Sequence, residues 1–178
     1  MYEDVLEFWF REIEPRQWWA ADPTFDARLR DRFHRLLERA AGGELFTWRV
    51  SPKGRLAEVI VLDQFSRNIH RNTPAAFSQD PMALVLSQEA VASGALDHLD
   101  PIERAFLLMP YMHSESALIH VEAERHFKAW APQDNYAFEL RHKAIIDRFG
   151  RYPHRNSILQ RVSTPEEEAF LKLPGSSF

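Results

Sequence analysis

The 178-residue chain contains no cysteine. It therefore has no disulfide framework, no thiolate-bound zinc or iron–sulfur cluster and no cysteine nucleophile. A chain of this length buries roughly 70% of the surface that its unfolded form exposes, so a hydrophobic core suffices without cross-links. We expect a single domain over residues 1–178, and the lack of cysteine fits a reducing compartment.

Long apolar runs are also missing from the sequence. A membrane-spanning helix needs about 20 predominantly apolar residues. The first residues, Met1-Tyr-Glu-Asp-Val5, lack the basic start of a secretory signal. We therefore expect a cytoplasmic protein that does not contact a membrane. The formal net charge of −4 argues against nucleic acid as a partner.

Helix signals recur along the whole chain, and strand alternation is lacking. Ser, Thr or Asp stands directly before proline at six places, a pairing that caps the first free amides and presets the first helical φ. The six pairs are Asp22-Pro23, Ser51-Pro52, Thr73-Pro74, Asp80-Pro81, Asp100-Pro101 and Thr164-Pro165. The pattern predicts an all-α fold of about eight to ten helices in antiparallel pairs. We place the longer helices near residues 2–13, 23–41, 52–66, 81–93, 101–111, 115–130, 134–149, 153–160 and 165–172.

The helix predicted at residues 52–66 carries a carboxylate on its apolar face. Asp63 continues the stripe of Leu56 and Val59. A buried carboxylate is costly unless it is paired, and Arg67 lies four residues later, at pairing distance. Two interpretations stay open, a structural ion pair that fixes the helix end and a carboxylate with arginines lining a pocket.

The segment Pro110-Tyr-Met-His-Ser-Glu115 interrupts an apolar helix. Pro110 cannot donate to the carbonyl of Phe106, so we expect the helix to kink or end there, with Ser114 capping the next helix. His113 and Glu115 are polar side chains at this junction. The segment is compatible both with a tight turn and with a ligand site.

The stretch Arg148-Phe-Gly-Arg-Tyr-Pro-His-Arg-Asn156 is locally basic, and no acid occurs from Arg148 to Arg161. Arginine forks bind carboxylate and phosphate bidentately, which makes this stretch a candidate anion site. The alternative is an internal network in which the arginines pair with acids of the chain itself. Asp63, Glu115 and Asp147 are available for such pairs.

The remaining histidines do not form a metal motif. His120 and Glu124, like Glu122 and His126, are four residues apart, but neither pair belongs to an HExxH or Glu-x-x-His pattern. We interpret them as a solvated helix face and His142 as a satisfied core residue. We expect neither a metal nor a cofactor.

Three segments of the sequence stand out together. They are Val61-Leu-Asp-Gln-Phe-Ser-Arg-Asn-Ile-His-Arg-Asn-Thr-Pro-Ala-Ala-Phe77, Pro110–Glu115, and Arg148–Asn156 followed by Ser163-Thr-Pro-Glu-Glu-Glu-Ala-Phe-Leu171. In this order they resemble the bacterial DUF924 family of uncharacterised proteins. The resemblance implies an all-α, tetratricopeptide-like right-handed helical array and no established activity. After Glu115 the family reads Asp-Gln-Glu-Arg in the next helix, whereas this chain reads Ala117-Leu-Ile-His-Val-Glu-Ala-Glu-Arg125. We expect the three segments to meet around one polar cleft.

Two hypotheses about function follow. In the first, the protein binds a small anionic ligand or a peptide terminus. The candidate ligand-binding residues are Gln64, Arg67, Asn68, Arg71, Arg148, Arg151, Arg155 and Asn156. In the second, it is a hydrolase or transferase in which Glu115 or Asp63 acts as acid or base and His113 or His154 carries the proton. The sequence does not decide whether the protein is an enzyme.

Overall fold

The computed structural model describes residues 1–177, which form helices, turns and connecting segments but no strand. The all-helical prediction is confirmed, and the right-handed tetratricopeptide-like arrangement stays a prediction. The α-helices are α1 Tyr2–Glu7, α2 Pro23–Ala41, α3 Pro52–Ile60, α4 Ser66–Ile69, α5 Asp80–Ala92, α6 Pro101–Met112, α7 Ala117–Trp130, α8 Gln133–Phe149 and α9 Pro165–Phe170. Within residues 1–177, no helix is both long and apolar enough to cross a membrane.

Most of the predicted helix starts are correct because the capping signals are local. Asp22 accepts hydrogen bonds from the amides of Thr24 and Phe25. Ser51 accepts from Gly54, and Thr164 accepts from Glu167. These bonds satisfy amides that would otherwise lack a partner in the first helical turn.

Three predicted caps are wrong. Thr73 precedes a 3₁₀ turn, Pro74–Phe77, but its hydroxyl donates to the carbonyl of His70 and caps no amide. Asp80 is the first residue of α5 rather than its cap, and its carboxylate binds Arg67 instead. Helix α7 begins at Ala117, with Ser116 before it. The Ser114 hydroxyl accepts from the amide of Ser116 and so closes a short turn ahead of the helix.

Aromatic side chains fill the centre of the core. Phe65 lies with its ring centroid 4.8 Å from Phe33, and Phe8 lies 5.0 Å from Phe33. Trp9 meets Phe106 edge-on at 5.7 Å. Edge and tilted contacts of this kind add to the free energy gained by burying the rings. They join the helical segments that follow α1 and α3 to α2 and α6 in one packed unit.

A π-helical turn, Val61–Phe65, links α3 to α4. The sequence indicated one continuous helix here, because a π-turn has no side-chain pattern of its own. Such turns pair each carbonyl with an amide five residues later and widen the helix locally, and they occur often at functional sites. This turn contains Asp63 and Gln64, both of which are buried.

The second half of the chain departs from the predictions at two points. Helix α6 passes through Pro110 and ends at Met112, because the amide that proline lacks affects only the last turn. The helix expected at residues 153–160 is a 3₁₀ turn, Pro153–Arg155, followed by further turns. Helix α7 packs against α6 and α8, and this places the loop between α6 and α7 beside the 3₁₀ turn.

Candidate functional site

The first two signature segments meet at Asp63, whose side chain is fully buried, and the third reaches the carbonyl of His113 through Arg155. Its Oδ1 atom lies 2.7 Å from Nδ1 of His113 and 3.1 Å from Nη1 of Arg67. Gln64 donates to Oδ2 at 2.5 Å. Arg67 also donates to the backbone carbonyl of Asp63 at 2.8 Å. The π-turn thus presents both the side chain and the carbonyl of Asp63 to polar partners.

The electrostatics of this group keep Asp63 ionised and His113 neutral. Burial alone raises the pKa of Asp63, but Arg67 and His113 outweigh it and the net direction is downward. Burial and the charge of Arg67 lower the pKa of His113, although Asp63 opposes them. Because a carboxylate only accepts, the proton of His113 lies on Nδ1. Its Nε2 atom therefore carries a lone pair at neutral pH.

Asp80 completes the charge balance from the start of α5. Its two oxygens lie 2.9 and 3.0 Å from the Nη atoms of Arg67 in a bidentate pair, and 3.4 Å separates its Oδ2 from Nη1 of Arg155. The Arg155 guanidinium lies 4.7 Å from the ring centre of Phe77 and 4.6 Å from that of Tyr152. We call Asp63, Arg67, Asp80, His113 and Arg155 the polar cluster. Two aspartates balance two arginines in it.

Three side chains hold the loop that carries His113, each by a backbone carbonyl. The Tyr152 hydroxyl donates to the carbonyl of Met112 at 2.5 Å. Arg155 donates to the carbonyl of His113 at 3.0 Å. His120 lies with Nε2 2.9 Å from the carbonyl of Ser114. We call these three contacts the carbonyl clamp, and they fix the backbone on both sides of His113.

His120 corrects the sequence interpretation of α7. Rather than lying on a solvated face with Glu124, it is fully buried and binds Glu139 of α8 at 2.7 Å through Nδ1. The Nε2 atom of His120 donates its proton to the carbonyl of Ser114. The contact between Nδ1 and Glu139 therefore holds a second proton, which the imidazole and the carboxylate share. Burial raises the pKa of Glu139, although His120 opposes this shift. The segment that departs from the family pattern therefore supports the His113 loop.

Glu115 is paired beside the polar cluster. Its carboxylate receives two bonds from Arg161, at 2.6 and 2.9 Å, and one from the amide of Tyr152 at 2.7 Å. Burial raises the pKa of Glu115, but these donors reverse the net direction. His154 is nearby, and burial lowers its pKa to about 4. Glu115 is thus an anchor for the C-terminal segment.

The remaining candidate residues lie at separate places. Arg71 and Asn68 both bind Asp26 of α2. Arg148 binds Glu166, and Arg151 binds Glu167. Asn156 accepts from Arg161 and donates to Ser163. The structure therefore brings together Asp63, Gln64, Arg67, His113 and Arg155 out of the predicted set, and Asp147 pairs with Lys143 instead of an arginine.

Sequence reasoning missed four residues that shape the site. Asp80 was interpreted as a cap, and Tyr152 and Glu139 were not singled out. Arg161 was noted only as part of the basic stretch. Each acts across a long sequence separation, such as the 46 residues between Glu115 and Arg161. The absence of acids between residues 148 and 161 was the one available signal, because it required distant partners for the arginines.

No three histidine, aspartate or glutamate side chains within residues 1–177 have the spacing of a metal site. A small cavity of about 100 Å³ lies between α2, α4 and the turns after α4, and its lining contains no residue of the His113 loop. His34, Ser66 and His70 are among the residues that line it. Arginines able to bind an anion lie beside a side chain able to accept a proton in the polar cluster, not in this cavity.

Comparisons with known proteins agree with this fold. A solved structure of a protein of unknown function from Agrobacterium tumefaciens is 33% identical, with a TM-score of 0.91 and 96% of each chain covered. No curated protein matches the chain. The model of the family described as "Bacterial protein of unknown function (DUF924)" matches residues 5–175. The chain therefore belongs to the DUF924 family.

Proposed function

We propose that the polar cluster binds a small anionic substrate and that His113 exchanges a proton with it. The observation that carries the proposal is the contact between Asp63 and His113. A buried carboxylate that binds Nδ1 fixes the tautomer and orientation of an imidazole and leaves Nε2 as the proton acceptor, as in hydrolytic triads. The His113 side chain is 17% exposed, and no described residue bonds to its Nε2.

The lowered pKa of His113 means that its imidazole is neutral at rest and can accept a proton rather than donate one. A general base must carry a free lone pair at the working pH and works best when its pKa lies near that pH. The lowered pKa of His113 keeps its Nε2 unprotonated at neutral pH. Arg67 and Arg155 lie in the same cluster and would stabilise negative charge on the substrate as it develops. The reaction class that fits is hydrolysis or group transfer.

Binding of a small anion or a peptide carboxylate without chemistry is the second candidate. The observation that favours it is the bidentate pairing of Asp80 with Arg67. The pairing has the geometry with which arginine holds a carboxylate ligand. In that case His113 orients the ligand and transfers no proton.

A substrate screen separates these two functions. Small carboxylates, phosphorylated metabolites and short peptides are tested for thermal stabilisation of the protein, and each hit is then tested for turnover. We expect His113→Gln to lower turnover by about 10²–10⁴-fold while the variant stays folded. His98→Gln, at an exposed histidine, is the matched control. Turnover in His113→Gln at the level of the control would contradict the catalytic role, and hits that bind without turnover would favour the second candidate.

The tautomer can be tested without a substrate. Long-range ¹H–¹⁵N spectra at pH 7 distinguish protonated from bare imidazole nitrogens. We expect His113 to show a protonated Nδ1 and a bare Nε2. A protonated Nε2 at pH 7 would remove the basis for the proton-acceptor role.

A further inference from the structure

We propose that Asp80 is a built-in competitor that occupies the oxyanion position of the polar cluster until a substrate carboxylate or phosphate displaces it. This inference rests on the proposed function, since it assigns the substrate class and the gating of the same site. Its starting point is that the Asp80 carboxylate is held by two arginines at once. An external oxyanion would make the same contacts.

Charge supports the displacement. With Asp80 in place, the charges of Asp63, Arg67 and Arg155 and the Asp80 carboxylate sum to zero, and neutral His113 adds nothing. Without the Asp80 carboxylate the same group carries one net positive charge, largely shielded from water. Buried unpaired charge is costly, so either Asp80 or a ligand anion must fill the position. The charge balance therefore favours an anion, and the planar guanidinium groups favour an oxyanion.

Exposure supports access. The side chains of Asp80, Arg67 and His113 are 18%, 19% and 17% exposed, whereas those of Asp63 and Arg155 are 0% and 7% exposed. Solvent thus reaches the competitor, the first arginine and the proposed base, with the other two residues beneath them. The substrate would enter where Asp80 leaves, within the electrostatic reach of His113.

Arg155 has hydrogen-bonding capacity that Asp80 does not use. Its Nη1 contact with Asp80 is long, at 3.4 Å, and its buried Nε has no partner among residues 1–177. The rings of Phe77 and Tyr152 hold the guanidinium in place. A phosphate, which is larger than the Asp80 carboxylate and has more acceptor oxygens, would satisfy this cation better.

The test removes the competitor and supplies the anion. Asp80→Asn takes away the negative charge at constant shape. Glu89→Gln makes the same charge change at an exposed position of the same helix and is the matched control. Inorganic phosphate and acetate are titrated by calorimetry into both variants and the wild type at constant ionic strength. Phosphate also stabilises proteins non-specifically, and the control measures that effect.

We expect Asp80→Asn to bind phosphate about tenfold or more tightly than wild type or Glu89→Gln, since a tethered side chain competes at an effective concentration on the order of millimolar. The acetate arm shows whether a carboxylate alone suffices. Equal affinity of Asp80→Asn and Glu89→Gln for both anions would overturn the proposal. If Asp80→Asn does not fold, phosphate must perturb the guanidinium resonances of Arg67 and Arg155 in the wild type, and unchanged resonances would overturn it equally.

The double variant Asp80→Asn/His113→Gln separates this proposal from the proposed function. We expect it to keep the phosphate affinity of Asp80→Asn, because the arginines hold the anion. Retained affinity together with unimpaired turnover in His113→Gln would leave the oxyanion site standing and remove the proton-transfer role. Loss of the affinity gain in the double variant would contradict an arginine-based site.

Discussion

The polar cluster and the pair Arg148–Glu166 are made from the same side-chain types in opposite surroundings. In the cluster, Asp63 is fully buried and Arg67 is 19% exposed. In the C-terminal pair, Arg148 and Glu166 are 50% and 64% exposed. Water solvates the outer charges whether or not they are paired, whereas the inner charges depend on one another. Burial, rather than the presence of an ion pair, decides which of these contacts the fold depends on.

The two regions also differ in the chemical groups that they bring together. The outer pair joins one arginine to one glutamate at the surface, and salt screens it. The inner cluster combines an ionised carboxylate, a neutral imidazole and two cations. Residues whose pKa values are shifted by burial and neighbouring charges concentrate at functional sites, and structural ion-pair networks contain them as well.

The largest effect is expected for Asp63→Asn. The substitution leaves Arg67 with one partner fewer and turns the acceptor of His113 Nδ1 into an amide. Breaking a buried pair by removing one partner costs about 3–5 kcal/mol. Urea denaturation at pH 7.5 measures the change in the free energy of unfolding. A loss below about 1 kcal/mol would place the cluster in the same energetic class as the outer pair.

Glu115→Gln should have an intermediate effect. It weakens the bidentate contact with Arg161 and the bond from the amide of Tyr152. Hydrogen bonds to charged groups contribute about 1.5–3 kcal/mol each, less where water reaches them. We expect a total loss of about 1–3 kcal/mol by the same denaturation assay. No measurable loss would show that Glu115 does not anchor the C-terminal segment.

Acidification should destabilise the protein through its buried histidines. Burial lowers the pKa of His142 to about 3 in the folded state, against about 6.5 in the unfolded chain. The unfolded state therefore binds more protons between these values, and the stability contributed above pH 6.5 is lost as pH falls toward 3. Between pH 7.5 and 5 we expect this histidine to account for a loss of about 1–2 kcal/mol.

The variant His142→Gln tests the source of that loss. It should show a smaller decrease in the free energy of unfolding between pH 7.5 and 5 than wild type does. His98→Gln, at an exposed position, should keep the wild-type pH dependence. Equal slopes in both variants would assign the acid sensitivity to other groups. His154, whose pKa burial lowers to about 4, contributes in the same direction.

The smallest effect is expected for Glu166→Gln. Exposed ion pairs contribute about 0–1 kcal/mol, so the free energy of unfolding should change by no more than that at pH 7.5. Adding salt to 1 M should erase the difference from wild type. A loss comparable to that of Asp63→Asn would break the distinction between the two regions.

Local signals predicted the fold better than the site. Proline after Asp22, Ser51 or Thr164 fixes a helix start within a few residues, so those boundaries follow from the sequence alone. His142 in an apolar stripe was correctly interpreted as a core residue, since Nδ1 bonds the carbonyl of Phe138 within the same helix. The π-turn at Val61–Phe65 was invisible, because packing rather than side-chain spacing produces it.

The site required distances that a sequence does not contain. The contact between Asp63 and Arg67 was predicted because the two residues are four apart. Asp80 carries an equally strong cap signal, and only the packing of α5 turns its carboxylate toward Arg67. His120 has acidic neighbours within one turn, yet its partner Glu139 comes from the following helix. In each failure a long-range contact replaced a plausible local one.

The carbonyl clamp has an evolutionary consequence. Glu139 of α8 orients His120, and His120 holds the backbone carbonyl of Ser114 beside His113. A substitution at Glu139 should therefore alter the position of His113 through His120, without direct contact between Glu139 and His113. Exchange of either member alone leaves a buried donor or acceptor unsatisfied, which costs about 1–3 kcal/mol. Positions 120 and 139 should therefore covary among natural relatives.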